Sequence, residues 1–453
     1  MKALQRSPPI LLLCVAIMLL VESCKDTTEA PQPVIPIPTD PCGPSLNSGY
    51  AEKLSYLPGE KIKAFINSNK NTAPCRLDVY DINGDVAFSV RAILKTQIIA
   101  NSEPSINGFG YSYGSEFEIP SGTKSGIYLI EKKIPLIVRT TQSVDLTIVY
   151  PSNTDNAYAL AGGKSLYSKP KSSIVSFHRP LELQWQALIG LKWFATLNNL
   201  SINYISDSDM DDYASIQNSK IVVLVGHSEY WTREARKNFD RFVEEGRHAV
   251  ILSGNTMWWQ VRYSTHQMIC YKSFDLNSEK DPIADPLLNT VQWDHPSLQY
   301  SILSSIGADF PRGGYGLQTD KGWDGYKIVS PQSPLLEGLN LQKGDIISLP
   351  SGEYDGAPIS SFTADGYPEI DNSILNFHRV ELIGFDRGAR GGKETIGTFI
   401  VFQKSPASGI VVNGASYDWC SHRGMGGQDG DKIKKITMNA ISKLLHKQKV
   451  FSN

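Results

Sequence analysis

Five consecutive residues, His227-Ser228-Glu229-Tyr230-Trp231, set an imidazole and a carboxylate just ahead of a phenol and an indole. Imidazoles and carboxylates are the commonest proton carriers in catalysis, so His227 and Glu229 are the expected catalytic pair. The plainer alternative is that both hydrogen-bond neighbouring loops and order the turn. A second cluster holds Asn255, Trp258, Trp259 and Arg262. An amide, two aromatic planes and a guanidinium suit a sugar or a carboxylated small molecule. Core tryptophans with an arginine paired to an acidic loop would read the same way. His178, Arg179 and Asp418 are further cleft candidates whose duller role is locking loops together.

A nucleophile is missing from these clusters. No cysteine stands in the His227–Trp231 turn, and the chain has no GxSxG serine elbow, so acyl-enzyme chemistry is not expected. Gly162-Gly163-Lys164-Ser165 lacks the spacing of a phosphate loop. No CxxC or Cys/His spacing suggests zinc.

The elements that must position both clusters are legible. Lys220–Gly226 is a short apolar run ending in glycine, the pattern of a strand buried on both faces. Thr232 is an N-cap for a helix whose Ala235, Phe239, Phe242 and Val243 recur at helical spacing, with Gly246 closing it. Ala249–Leu252 is the next strand. Such a strand–helix–strand unit predicts a parallel sheet with its ligands beyond the carboxyl ends of the strands, where both clusters fall. A helix is expected over 183–200, and the aperiodic stretch 268–303 is expected to run over the surface.

GHSEYW followed by SGNTMWWQVR resembles the C-terminal domain of the N,N-dimethylformamidase large (beta) subunit. Ala157-Tyr158, Gly162 through Tyr167, and Ser176 through Pro180 fit the same family, so the resemblance runs from roughly 148 to the end. It implies a class I glutamine amidotransferase-like fold, an α/β layered parallel sheet, and a hydrolase of an amide or related carbon–nitrogen bond. It also implies iron held by two tyrosinates and one glutamate, hard ligands that suit a ferric ion. Tyr230 is the ligand that carries over. The partner tyrosine is expected near Gln184-Trp185-Gln186-Ala187-Leu188, which holds none, and Glu353 or Asp285 stands where the carboxylate is sought. The alternative is a surface lipoprotein that binds glycan or a small ligand in the same cleft without turnover.

The ends of the chain bear on its address. Lys2 and Arg6 precede the apolar run Ile10–Val21, and Ser23-Cys24 resembles a lipobox, so residues 1–23 are expected to be a lipoprotein signal peptide and Cys24 the lipidation site. Residues 24–44 read as a Pro-rich tether, 45–147 as an all-β immunoglobulin-like sandwich and 148–453 as the α/β domain. That makes the expected location the cell envelope, lipid-anchored at the outer membrane. Four cysteines then remain outside the cytoplasm, and keeping each pair within one unit favours Cys42–Cys75 and Cys270–Cys420. With a formal charge of -2 there is no basic field to attract nucleic acid. The expected partner is a small molecule or glycan.

Overall fold

The computed structural model describes residues 36–273, 279–317 and 321–452. The leader, Cys24 and most of the Pro-rich stretch lie outside the described residues. Among those described, no helix is long and apolar enough to cross a membrane. Residues 37–453 form one compact unit.

The N-terminal residues build two sheets. Leu46–Ala51, Lys61–Ser68 and Ser115–Glu118 form one of three strands, and a five-stranded sheet runs in the order 55–56, 134–138, 126–130, 75–81, 86–92. Period-two burial in Lys61–Ser68 places Ile62, Ala64 and Ile66 on the core side. Leu77, Val79, Ile130 and Leu136 pack in the same core, beside a disulfide between Cys42 and Cys75.

The site is carried by a nine-stranded sheet in the order 202–206, 144–150, 219–226, 248–253, 410–413, 393–403, 379–390, 325–328, 346–348. Its first five strands are parallel to one another. The remaining four run antiparallel to their neighbours. Ser219–Gly226 lies inside the parallel half and is buried along its length except at Lys220, which is why its sequence is a continuous apolar run. Thr232 caps the helix Arg233–Glu244 by accepting from the Ala235 N–H at 3.0 Å. That helix buries Ala235, Phe239, Phe242 and Val243 against the sheet.

This architecture corrects the expected fold class. Strand makes up 33% of the chain against 20% helix, and the sheets are mixed, so neither an α/β layered parallel sheet nor the immunoglobulin-like plus glutamine amidotransferase-like combination describes it. The physical reason lies in the connections. Arg379–Arg390 and Lys393–Gln403 are joined by Gly391-Gly392, both at positive φ, which is a two-residue hairpin that needs no helical crossover. Local apolar patterning does not encode pairing direction.

Three smaller expectations also change. Cys270 and Cys420 are free thiols, because they sit in separate apolar clusters, and burial pushes both up to about 12. The helix expected over 183–200 is confined to Trp185–Phe194. The 268–303 stretch is not a surface run: Cys270, Lys272, Val291, Trp293, Leu298 and Ile302 are all buried. It lacks periodicity because it packs through isolated turns, among them Pro286–Leu288 and Pro296–Leu298.

Candidate functional site

Gly226 ends the 219–226 strand at φ +69, and a Cβ there would come within 2.7 Å of Gln184 Oε1 and 2.9 Å of the Ala187 Cβ. The close approach brings the start of the 185–194 helix over the turn. Gln184 then works at both ends: its Oε1 accepts from the His227 N–H at 2.8 Å and its Nε2 donates to Asp155 Oδ1 at 3.0 Å. The turn is pinned further by Ser228 N–H to Ser253 Oγ at 3.1 Å and Glu229 N–H to Thr154 Oγ1 at 3.1 Å. Trp231 donates its indole N–H to Ser228 Oγ at 2.9 Å, so the large ring is buried with its polar atom satisfied. Tyr230–Thr232 next pairs in parallel with Trp259–Ser264, in the register Tyr230 opposite Trp259.

Three phenols converge on this turn. Tyr158 donates to Glu229 Oε2 at 3.1 Å and Tyr167 to Glu229 Oε1 at 2.9 Å. Their rings stack with centroids 4.1 Å apart. The Tyr230 hydroxyl meets that of Tyr167 from behind. Glu229 is 2% exposed, while Tyr158 is 43% and Tyr167 39% exposed. The two outer rings therefore form part of the surface and their hydroxyls reach inward to an enclosed carboxylate. Lys272, also buried, places its ammonium 3.4 Å from the Tyr167 ring centroid and 4.9 Å from that of Trp259.

His227 lies between two carboxylates. Its Nε2 is 3.2 Å from Glu353 Oε2 and 3.5 Å from Glu229 Oε2, but off the line of a hydrogen bond to either. Asn255, held at φ +51, donates from Nδ2 to the same Glu353 oxygen at 3.0 Å. Asparagine tolerates that left-handed backbone better than most residues. Thr256 N–H donates to Asp355 Oδ2 at 3.1 Å, completing an acidic floor.

The electrostatics follow from enclosure. Burial, then the charge of Glu229, pushes the Tyr158 and Tyr167 phenols well above 10, and Tyr230 behaves likewise. Burial raises Glu229 against the pull of His227 and Lys272. At His227 burial opposes the charge, but Glu353 and Glu229 outweigh it and lift the imidazole to about 9. A raised histidine stabilises the fold fully below its unfolded value of 6.5 and loses that contribution as pH climbs through about 9. Urea denaturation of the native protein should therefore show stability falling across that window. In His227→Gln the fall should be shallower, and an equal slope would place the imidazole elsewhere in its titration.

Several other residues singled out from sequence make contacts within the protein. Trp258 and Trp259 are buried, the former against Phe310 with the Arg390 guanidinium 5.0 Å from its ring. Arg262 makes a two-pronged ion pair with Asp281 at 2.8 and 2.9 Å. His178 stacks on His266 at 4.3 Å and reaches the Glu52 carbonyl at 3.1 Å. Arg179 is fully buried among backbone carbonyls. Asp418 accepts from Ser421 Oγ at 2.7 Å and the Gly352 N–H at 2.8 Å. Asp285 caps the short turn Pro286–Leu288. His227, Glu229, Tyr230, Asn255 and Glu353 do come together. Tyr158, Tyr167 and Lys272 were missed as site residues, although Tyr158 and Tyr167 stand in the motif that carries the family resemblance.

The family is now determinate. The sequence profile of the N,N-dimethylformamidase beta subunit-like C-terminal domain matches residues 96–428, and the chain belongs to that family. The match begins ahead of the expected start near 148, so it takes in the strands between 115 and 138. No curated protein matches the chain. Among solved structures, a ThuA-like protein from Bacteroides uniformis is 11% identical, the match covering 68% of this chain and 94% of that one at a TM-score of 0.34. A likeness that low carries no argument about fold or function.

Proposed function

We propose that this dimethylformamidase-like chain hydrolyses an amide or related carbon–nitrogen bond at the Tyr158–Tyr167–Glu229 cluster. The observation that carries the reading is that two tyrosine hydroxyls end on the two oxygens of one enclosed carboxylate. Among the described residues, no group of three or more histidine, cysteine, aspartate and glutamate side chains is arranged to hold a metal. A metal here would have to take phenol oxygens. Tyr158, Tyr167 and Glu229 supply two phenols and one carboxylate, a hard donor set that fits the ferric ion implied by the family, with Tyr230 directly behind Tyr167. Such an ion, when bound, supplies a Lewis acid for the carbonyl oxygen.

The chain's own groups do the rest. Asn255 fixes Glu353, which accepts a proton from the attacking water. The His227 imidazolium, 3.2 Å from that carboxylate, delivers a proton to the departing amine nitrogen. Water oxygen bonds to the carbonyl carbon as the carbon–nitrogen bond breaks, giving an acid and an amine. The Lys2–Cys24 pattern supports placing this chemistry on a lipid-anchored envelope protein. Elemental analysis of the purified protein with its visible spectrum tests the reading. Near-stoichiometric iron and a tyrosinate charge-transfer band, both lost in Tyr167→Phe, are the expected outcome. No iron and no colour after reconstitution would remove the hydrolase and leave a binding protein.

A further inference from the structure

A cleft of about 780 Å³ opens onto the site, with Tyr158 and His227 among its lining residues. That volume falls in the range, roughly 300–1,000 Å³, of pockets that enclose drug-sized ligands rather than the smallest amides. Its walls are uneven in character. Leu160, Leu183 and Trp185 line it, and Trp185 remains 41% exposed and Leu160 65% exposed. The indole is not loose: Tyr417 meets it edge-on at 6.0 Å and His422 at 5.1 Å.

The polar lining is mostly spent inside the protein. Thr154 accepts from the Glu229 N–H, Gln184 is engaged at both ends, and Tyr158 donates to Glu229. Both oxygens of Asp155 accept, one from Tyr150 and one from Gln184, and burial lifts its carboxyl to about 8. What remains for a ligand is Glu182 and Gln186 at the mouth, with the Thr154 hydroxyl proton and His227 Nε2 at the inner end. A polyol needs many free donors and acceptors and finds few here. At the mouth, away from His227, an anion would meet Glu182, while Arg423, 5.5 Å from the Trp185 ring, is already 3.5 Å from Asp418.

We propose that the cleft selects an uncharged or cationic amide bearing a planar apolar group, which lies on Trp185 and Leu160 while its amide reaches the His227–Tyr158 end. This rests on the hydrolase reading for the reaction, but the binding claim is separable from it. Full-length protein is titrated with N-benzylacetamide, its ring 4-carboxylate analogue, dimethylformamide and maltose, following tryptophan fluorescence and calorimetry, with amine release measured in parallel. Expected is binding of N-benzylacetamide weakened about tenfold in Trp185→Ala and in Leu160→Ser, with the carboxylate analogue bound at least about tenfold less tightly. Trp185 is an exposed first-turn residue, so a folding defect is not expected, and Leu160→Ser provides an independent check. Binding with that pattern but no amine release would uphold this inference and sink the hydrolase. Amine release from dimethylformamide with no gain for the benzyl amide would sink this inference and leave the hydrolase standing. Tighter binding of maltose, or no binding of N-benzylacetamide, would overturn it as well.

Discussion

Glu229→Gln is expected to lower amide turnover at least about a hundredfold and to abolish iron uptake, with the fold retained. Its carboxylate is the common acceptor for Tyr158 and Tyr167 and lies 3.5 Å from His227 Nε2. Glutamine keeps the volume and one carbonyl oxygen, so one phenol keeps its acceptor. The other faces an amide N–H₂ and must turn to accept from it. The negative charge that balances His227 and would neutralise a cation is gone. Because burial already raises Glu229, removing the charge relieves a desolvation cost, and stability should change by less than about 1 kcal/mol. Turnover, iron content and urea midpoint measured on one preparation separate these effects. Full activity in the variant would show that the chemistry lies elsewhere.

Arg179→Leu should cost about 4 kcal/mol and disturb the site from a distance. The guanidinium is fully buried and donates to the carbonyls of Ser176, Ala161, Lys164 and Asn156 at 3.0, 2.9, 2.8 and 2.6 Å, and to Asn156 Oδ1 at 3.0 Å. None of these partners is a carboxylate, and burial pulls the arginine down to about 10, still charged at neutral pH. Leucine would leave several buried carbonyls without a donor, each an expense of about 1–3 kcal/mol before relaxation. Three of those carbonyls, from Asn156, Ala161 and Lys164, belong to the helix end that carries Tyr158 and the loop leading to Tyr167, so the tyrosine pair should lose its alignment on Glu229. Lysine should not rescue, because one ammonium cannot span the fork. A lowered urea midpoint at unchanged slope, together with loss of the tyrosinate band, checks both halves. If the midpoint moved by less than about 1 kcal/mol equivalent, the loop would be held by other contacts.

Sequence by itself determined the local units. The buried strand 219–226, the Thr232 cap and the 233–244 helix follow from short-range patterning, and the family follows from contiguous motifs. Pairing cysteines within one unit found Cys42–Cys75 but failed for Cys270 and Cys420. It also put His227, Glu229 and Asn255 at strand ends, because a glycine-terminated apolar run marks such an end wherever it occurs. Tertiary structure alone decided the rest. Antiparallel pairing of the 325–413 strands is a long-range choice that alternating apolar residues leave open, which is why the layered parallel class failed. The tyrosine pair could not be read from 184–188, because its members come from a helix end and the loop after it, 71 and 62 residues before Glu229. Burial likewise sorted identical side-chain types into roles. Trp258 and Trp259 entered the core while Trp185 stayed at the cleft mouth, and Arg262 met Asp281. A side chain's type limits what it can do, but what it faces is set by contacts between segments far apart in the chain.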